Sequence, residues 1–291
     1  MASIQSAVLD LKRLDLLANG DSSIHRLDAR AKVLVTLVFI LSVVSCNRYE
    51  LSALVPFFIF PVVMISLAGL PPLFILRKIT LICPFVLAVG IFNPVFDREI
   101  LLQLGPLGIS GGWISFASIL TRSILTVGAA LILVGVTGFT AVCQALERLG
   151  MPQVFAVQLL FLYRYIFVLT EESGRASRAR ELRSCGRKGQ GIGSFGSLTG
   201  HLLLRTWQRA ERIHMAMLAR GFSGEFHTGR RSRFGAPEFS FVLGWSAIFI
   251  TLRLQNATQF LGSLIIVSYR LFSAFFLQKI IWLTHFPVYQ G

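Results

Sequence analysis

The stretch WISFASILTRSILTVGAALILVGVTGF, residues 113–139, carries one charged side chain, Arg122, in 27 positions. A helix needs about 20 apolar residues to cross the roughly 30 Å hydrocarbon core of a bilayer, so this run is long enough to span it with some tilt. The composition agrees, because 54% of the 291 residues are hydrophobic and 14% are charged, whereas soluble domains carry about 25% charged residues. The run therefore predicts an integral membrane protein.

Similar apolar runs flank this one. Three precede it, at residues 31–46, 51–70 and 79–96, and together they predict a four-helix transmembrane region over 31–139. A further transmembrane helix is predicted at 236–255. Residues 256–291 form an apolar tail, interrupted by Arg270 and Lys279, whose topology stays open. The predicted fold class is an all-α integral membrane protein with about five or six transmembrane helices.

Basic residues lie on every second loop between the predicted spans, and this pattern predicts the orientation of the chain in the membrane. Lys and Arg collect on the cytoplasmic side of membrane proteins, so the net charge of +14 does not by itself indicate nucleic-acid binding. The N-terminal arm, 1–30, and a coupling region, 140–235, are placed in the cytoplasm of a bacterial cell with the spans in its inner membrane. Residues 151–169 are apolar enough to resemble a fifth span. A span there would place the basic segment that follows outside the cytoplasm, against the positive-inside rule. We therefore favour a long helix packed under the membrane region.

The basic segment, residues 171–233, has 13 Lys or Arg and five acids, a balance of 13 − 5 = +8. Its pattern predicts two long amphipathic helices, at about 173–185 and 198–220, joined by a Gly-rich linker. On the second helix, Arg205, Arg209, Arg212 and Arg220 share one stripe at 100° per residue, opposite Leu203, Trp207 and Leu218. Three interpretations of this basic face stay open: lipid headgroups, nucleic acid, or an acidic groove on a soluble partner.

No catalytic or metal-binding set emerges from the sequence. The five histidines do not stand at metal-ligand spacing with carboxylates, and His25 is expected to serve loop packing. No GxxxxGK[ST] motif occurs, so the chain is not expected to bind ATP in a P-loop of its own. We expect a non-catalytic protein without a cofactor, and any ATP-derived energy then comes through a partner.

Three phrases resemble a known family. AMLARGF, residues 216–222, resembles the second Ala-Arg-Gly coupling motif of the transmembrane T components of energy-coupling-factor transporters. RARELRSCGR, residues 178–187, stands where the first motif belongs, and DSSIHRLDARAK, residues 21–32, is similar to the start of the cobalt-type members. The likeness covers about residues 10–255.

The resemblance implies a membrane scaffold whose two long cytoplasmic helices dock on P-loop ATPase subunits and transmit their motion to a substrate-capture membrane subunit. It implies cobalt import, with nickel the close alternative, and no nucleic-acid partner. The first motif departs from the family pattern, since Cys185 stands where Arg is usual and Arg183 or Arg187 is left to supply the charge. The ATPase-coupling residues implied are Arg183, Ser184, Cys185, Gly186, Arg187, Ala219, Arg220 and Gly221.

Two rival functions stay open. A self-contained channel or secondary transporter predicts buried charges along several spans and an internal repeat, and neither is evident in the sequence. A membrane anchor that recruits soluble enzymes is the second rival, and a dependence of transport on an ATPase would separate it from the coupling subunit.

Overall fold

The computed structural model describes residues 2–47, 51–96, 100–104, 107–183, 192–222, 224 and 235–254. These residues fall into two compact units, each considered by itself below. The first unit comprises residues 1–34, 67–70 and 133–239, and the second comprises 35–66, 71–132 and 240–291. The predicted tail, 256–291, lies outside the described residues.

The chain begins with helices. The predicted N-terminal arm contains two of them, and the first two predicted spans follow. Their bounds are α1 Ala2–Ala18, α2 Ser23–Arg26, α3 Ala29–Val44, a 3₁₀ helix Ser52–Phe58, and α4 Ile59–Ala68.

The middle of the chain differs from expectation in two respects. Its elements are α5 Pro72–Gly90, α6 Phe92–Phe96, β1 Ile100–Leu104, β2 Leu107–Ser110 and α7 Gly111–Thr137. The antiparallel β1–β2 hairpin was not predicted. Helix α5 starts seven residues before the predicted span at 79 and therefore includes Arg77 and Lys78. Pro72 at the first helical position explains this start, because its fixed φ suits a helix that needs no N–H there.

The coupling region is also more helical than expected. It contains α8 Phe139–Arg148, α9 Gln153–Arg183 and α10 Ile192–Ala219, and α11 Ala236–Leu254 follows. The predicted helix at 173–185 is the polar end of the 31-residue α9, so one helix runs from Gln153 through the apolar stretch into the basic segment as predicted. Its packing under the membrane region stays a prediction. The predicted Gly-rich linker is too long, because α10 already includes Gly193 and Gly196.

Among the residues that the structure describes, four helices are long and apolar enough to cross a membrane by length and composition. They lie at Pro72–Pro94, Gly111–Thr137, Gln153–Arg180 and Ala236–Leu254. The first two predicted spans are also helical, at α3 and at Ser52–Ala68, but these helices are shorter than those four. The all-α membrane fold class is confirmed, with the hairpin as an addition.

An aromatic cluster forms the core of the second unit. Phe249 of α11 is 1% exposed, and its ring centroid lies 5.2 Å from those of both Phe39 and Phe60. Trp245, one turn earlier, lies edge-on to Phe60 at 5.0 Å, and Phe57 completes the cluster. Edge-to-face and offset ring pairs at these distances add to the stabilisation gained from burial alone.

Two arginine side chains of the second unit donate hydrogen bonds to the backbone directly after α3. Arg122 Nη2 donates to the Cys46 carbonyl at 2.8 Å, and Arg253 Nη2 donates to the neighbouring Ser45 carbonyl at 2.7 Å. The last carbonyls of a helix lack partners within it and carry its negative dipole end. Arg122, the lone charge in the longest predicted span, therefore binds a backbone carbonyl directly after the end of α3.

Candidate functional site

The C-terminus of α10 is a Schellman cap built on the Ala-Arg-Gly phrase. Gly221 N–H donates to the Leu218 carbonyl at 2.9 Å, and Phe222 N–H donates to the Met217 carbonyl at 3.0 Å. This pair of bonds requires a left-handed residue, and Gly221 supplies it with φ = +78°. The helix consequently ends at Ala219 and leaves Arg220 exposed at its negative dipole end.

The first predicted motif lies largely beyond what the structure describes. Arg183 is the last residue of α9. Ser184, Cys185, Gly186 and Arg187 fall outside the described residues, so their assignment as the first docking tip stays a prediction.

The basic stripe of α10 makes an intramolecular contact that sequence reasoning missed. The Glu172 carboxylate on α9 forms an ion pair with Arg205, whose Nε lies 2.8 Å away, and accepts a hydrogen bond from Arg209 Nη1 at 2.8 Å. The Glu172 side chain is 7% exposed, whereas that of Arg205 is 73% exposed. Charge-assisted bonds to one buried carboxylate fix the point where the two helices meet. We call this contact the Glu172 clasp.

The clasp changes the interpretation of the basic face. Two of its four arginines are committed to an acid of the same chain, and Arg212 and Arg220 are exposed. The opposite face of α10 carries Leu203, Trp207 and Leu218 as predicted, and these side chains are exposed. The predicted two-faced character of α10 is confirmed, but the apolar face has no cover from the described part of the chain.

Helix α1 braces α9 in the first unit. The Tyr163 hydroxyl donates a short hydrogen bond to the Asp15 carboxylate. Lys12 Nζ lies 3.9 Å from the Glu171 carboxylate and 5.8 Å from the ring centroid of Phe167. Contacts spaced along both helices hold the apolar half of α9 against the N-terminal arm. These contacts could not be predicted from the sequence, because hydrophobic periodicity shows which face of a helix is apolar but not which residue of another helix it contacts.

The N-terminal phrase 21–32 forms a polar corner. His25 Nε2 donates to the Leu17 carbonyl at 3.0 Å, and its Nδ1 accepts from the Ser22 hydroxyl at 2.7 Å. Both nitrogens of the neutral imidazole are thus satisfied. Burial lowers the pKa of His25, and Lys32 lowers it further against the opposing Leu17 carbonyl. The packing role expected for His25 is confirmed by these contacts.

This corner lines a cavity of about 470 Å³ in the first unit, between residues 15–32 and 136–148. Asp28 and Lys32 are both 3% exposed. Asp28 Oδ1 accepts the Arg30 backbone N–H at 2.9 Å, and Lys32 Nζ donates to the His25 carbonyl at 3.3 Å. The phrase that is similar to cobalt-type proteins is therefore a partly buried, hydrogen-bonded segment that contains α2 and the start of α3. Within the described ranges, no group of three His, Cys, Asp or Glu is arranged to hold a metal ion.

Comparison with known proteins gives one family match. The family model named CbiQ, cobalt transport protein, matches residues 20–230. The chain is similar to the energy-coupling factor transporter transmembrane protein EcfT of Listeria innocua, with 27% identity over 224 residues, 70% of this chain and 82% of that one. EcfT of Heliobacterium modesticaldum is 27% identical over 250 residues, 80% and 92% of the two chains. A putative fused cobalt transport protein CbiMQ of Methanocorpusculum labreanum is 30% identical over 109 residues, 37% of this chain and 18% of that protein.

Proposed function

We propose that this chain, which belongs to the CbiQ family of cobalt transport proteins, is the transmembrane coupling subunit of an energy-coupling-factor importer for cobalt ions. Family membership makes it a multi-pass membrane component of a transporter and not an enzyme. The proposal adds that it couples ATPase motion to uptake. The observation that carries it is the capped tip of α10, where the Schellman cap presents Arg220 at the end of a 28-residue helix.

The chemistry of the tip suits docking on an acidic groove of an ATPase subunit. A guanidinium forms forked bonds with carboxylates, and the position at the helix end lets it enter a groove without steric interference from the rest of α10. Ala219 and Gly221 are small, so the approach to the helix end is open. Arg183, the last residue of α9, and residues 184–187 are proposed as the first docking tip, with Ala219, Arg220 and Gly221 as the second.

The Glu172 clasp supports transmission between the tips. A load applied at the tip of α10 reaches α9 through Arg205 and Arg209 and their shared carboxylate. The α1 contacts at Asp15 and Lys12 then tie α9 to the N-terminal arm. The two long helices are thereby joined into one lever, as a coupling subunit requires.

Co-purification tests the docking proposal. The tagged chain, expressed with its P-loop ATPase and substrate-capture partners, is purified in mild detergent and the ATPase content is measured by mass spectrometry. Arg220→Glu replaces attraction by repulsion, and breaking a buried charge pair costs about 3–5 kcal/mol, so one ATPase site should be lost. The matched control is Arg164→Glu, an exposed arginine of α9 that lies outside both motif phrases, and this variant should retain both ATPase subunits. Full ATPase content in the Arg220→Glu complex would contradict the proposal.

The cargo is tested by uptake. Cells expressing the complete transporter should accumulate cobalt in preference to nickel, and cobalt uptake should fall in Arg220→Glu. Preferential nickel accumulation would reassign the cargo and leave the coupling role intact. Transport by the chain alone in liposomes would instead favour a self-contained transporter.

Orientation requires its own test, because α9 satisfies the length and composition of a span. We place the arm 1–30 and the coupling region 140–235 in the cytoplasm, with 31–139 and 236–255 in the bacterial inner membrane, since the +8 balance of residues 171–233 opposes translocation. A reporter fused after Gly224 should be cytoplasmic. A periplasmic signal would make α9 a membrane span and overturn this orientation.

A further inference from the structure

A strongly basic cavity of about 440 Å³ lies beside the Glu172 clasp in the first unit. Its lining has one acid and four arginines, a balance of 4 − 1 = +3. The lining residues are Glu172, Arg175, Arg205, Arg209, Arg212, Ile213 and Ala216.

Guanidinium donors remain unused around this cavity. An arginine has five N–H donors, and Arg205 and Arg209 each give one to Glu172. Arg212 Nε donates to the Gln208 carbonyl at 3.2 Å. Neither Arg212 nor Arg175 has an acidic partner within the described ranges. The clasp therefore holds two guanidiniums in place and neutralises only one of the four charges.

This charge pattern selects an anion. Planar guanidinium groups match the oxygens of phosphate with forked hydrogen bonds, and four of them exceed what one carboxylate can balance. A cation is repelled by the net charge of the cavity. The volume lies within the range of small-molecule sites, about 300–1,000 Å³, which accommodates a phosphate with a substituent.

We propose that the cavity binds a phosphate group, with the headgroup of an anionic phospholipid as its source. Glu172 follows the apolar part of α9, residues 153–169, by less than one turn, so the cavity lies where the apolar surface of that helix ends. Basic pockets at this level of a membrane protein bind anionic headgroups. Ile213 and Ala216 give the cavity an apolar border against which a lipid glycerol can pack. The site is separate from the docking tip, since Arg212 precedes Arg220 by eight residues of helix.

Native mass spectrometry of the full chain in detergent tests the site. The probes are phosphatidylglycerol, with phosphatidylcholine as the zwitterionic reference, and pyrophosphate as a soluble phosphate. The double variant Arg175→Gln, Arg212→Gln removes two charges from the cavity and leaves the Glu172 clasp intact. The charge-matched control is Arg77→Gln, Arg178→Gln, two exposed arginines outside the cavity. Gel filtration establishes that all variants remain folded.

We expect the cavity variant to bind phosphatidylglycerol about 30-fold more weakly than the wild type, from the usual contribution of each arginine to anionic-lipid binding. The control variant should bind as the wild type does. Binding of pyrophosphate in place of the lipid, lost in the same variant, would keep the phosphate site and make its source soluble. Equal lipid binding by both variants, without pyrophosphate binding, would overturn the proposal.

A second experiment distinguishes a phosphate-binding site from a contact surface for a protein partner. If the cavity variant keeps its lipid but loses ATPase subunits in co-purification, the arginines serve an acidic partner and the phosphate site is overturned. The lipid measurement uses the chain alone, so its failure is distinguishable from a failure of docking at Arg220.

Discussion

The aromatic cluster of the second unit and the Glu172 clasp of the first unit hold their helices by opposite means. In the cluster, five aromatic rings including that of Phe249 pack together at centroid distances of 4.7–6.3 Å. In the clasp, one buried carboxylate joins two largely exposed arginines, while the apolar side chains of α10 face outward.

The difference teaches where this protein is fixed and where it is adjustable. Close-packed rings lose contact energy with any small displacement, so the cluster favours one arrangement. Arginine side chains are long and reach a carboxylate from several helix positions, so the clasp holds two helices together while tolerating a change in their angle.

Truncation of the cluster should have the largest effect on stability. We expect Phe249→Ala to lower the free energy of unfolding by about 3–5 kcal/mol, because a fully buried ring leaves a cavity. The matched control is Phe85→Ala in the same unit, where the ring is 73% exposed and the loss should be far smaller. Unfolding in mixed micelles with increasing dodecyl sulfate measures both. Equal losses would remove the distinction between core and surface on which the comparison rests.

Neutralising Glu172 in the clasp should have the next largest effect on stability and should also change the distance between α9 and α10. Glu172→Gln keeps the shape of the side chain but removes the charge that both arginines share, a loss of about 2 kcal/mol given the strength of charge-assisted bonds and the exposure of Arg205. Spin labels at Ala179 and Glu211 should report a broadened distance between α9 and α10.

Glu171→Gln is the control for that experiment, since Glu171 is the neighbouring acid and its side chain is 64% exposed. Its distance distribution should match that of the wild type. An unchanged distribution in Glu172→Gln would mean that apolar contacts, and not the carboxylate, hold the crossing.

The Schellman cap of α10 allows two glycines of the same segment, Gly221 and Gly196, to be compared. Gly221→Ala should cost about 1–2 kcal/mol, because a Cβ is disfavoured in the left-handed conformation. Gly196→Ala in the same helix has open space around its Cβ position and no positive φ, so it should stabilise α10 by up to about 1 kcal/mol. Amide hydrogen exchange over residues 217–222 measures the cap, and protection that rises in both variants would contradict the assigned Schellman motif.

The smallest expected effect is a pH dependence at the polar corner. Burial lowers the pKa of His25, so below the unfolded value of about 6.5 the unfolded chain takes up a proton before the folded chain does. Stability should therefore fall on acidification from pH 7.5 to 5.5, as protonation breaks the bond that Nδ1 accepts from Ser22. Thermal unfolding of the wild type and His25→Gln measures this, and the variant should show a shallower decline. Identical slopes would exclude His25 as the source.

Local features of the fold were predictable and remote pairings were not. The apolar runs gave helices, and the Ala-Arg-Gly phrase gave the end of α10, because both signals lie within a few residues of the structure they specify. The linker was predicted too long, since a glycine costs only about 1 kcal/mol in a helix and the remaining residues of α10 outweigh Gly193 and Gly196. The Glu172 clasp joins residues 33 and 37 positions apart, and no periodicity identifies such a partner.

The two arginines at the end of α3 bear on how thick a membrane this protein requires. Helix α3 has 16 residues, a length of about 24 Å, which is shorter than a hydrocarbon core of about 30 Å. A helix end within hydrocarbon is costly when its carbonyls lack donors. Arg122 and Arg253 provide those donors from the protein itself. The two carbonyls directly after α3, those of Ser45 and Cys46, are therefore satisfied by the protein itself, so this end of the helix depends less on donors from water at the membrane surface.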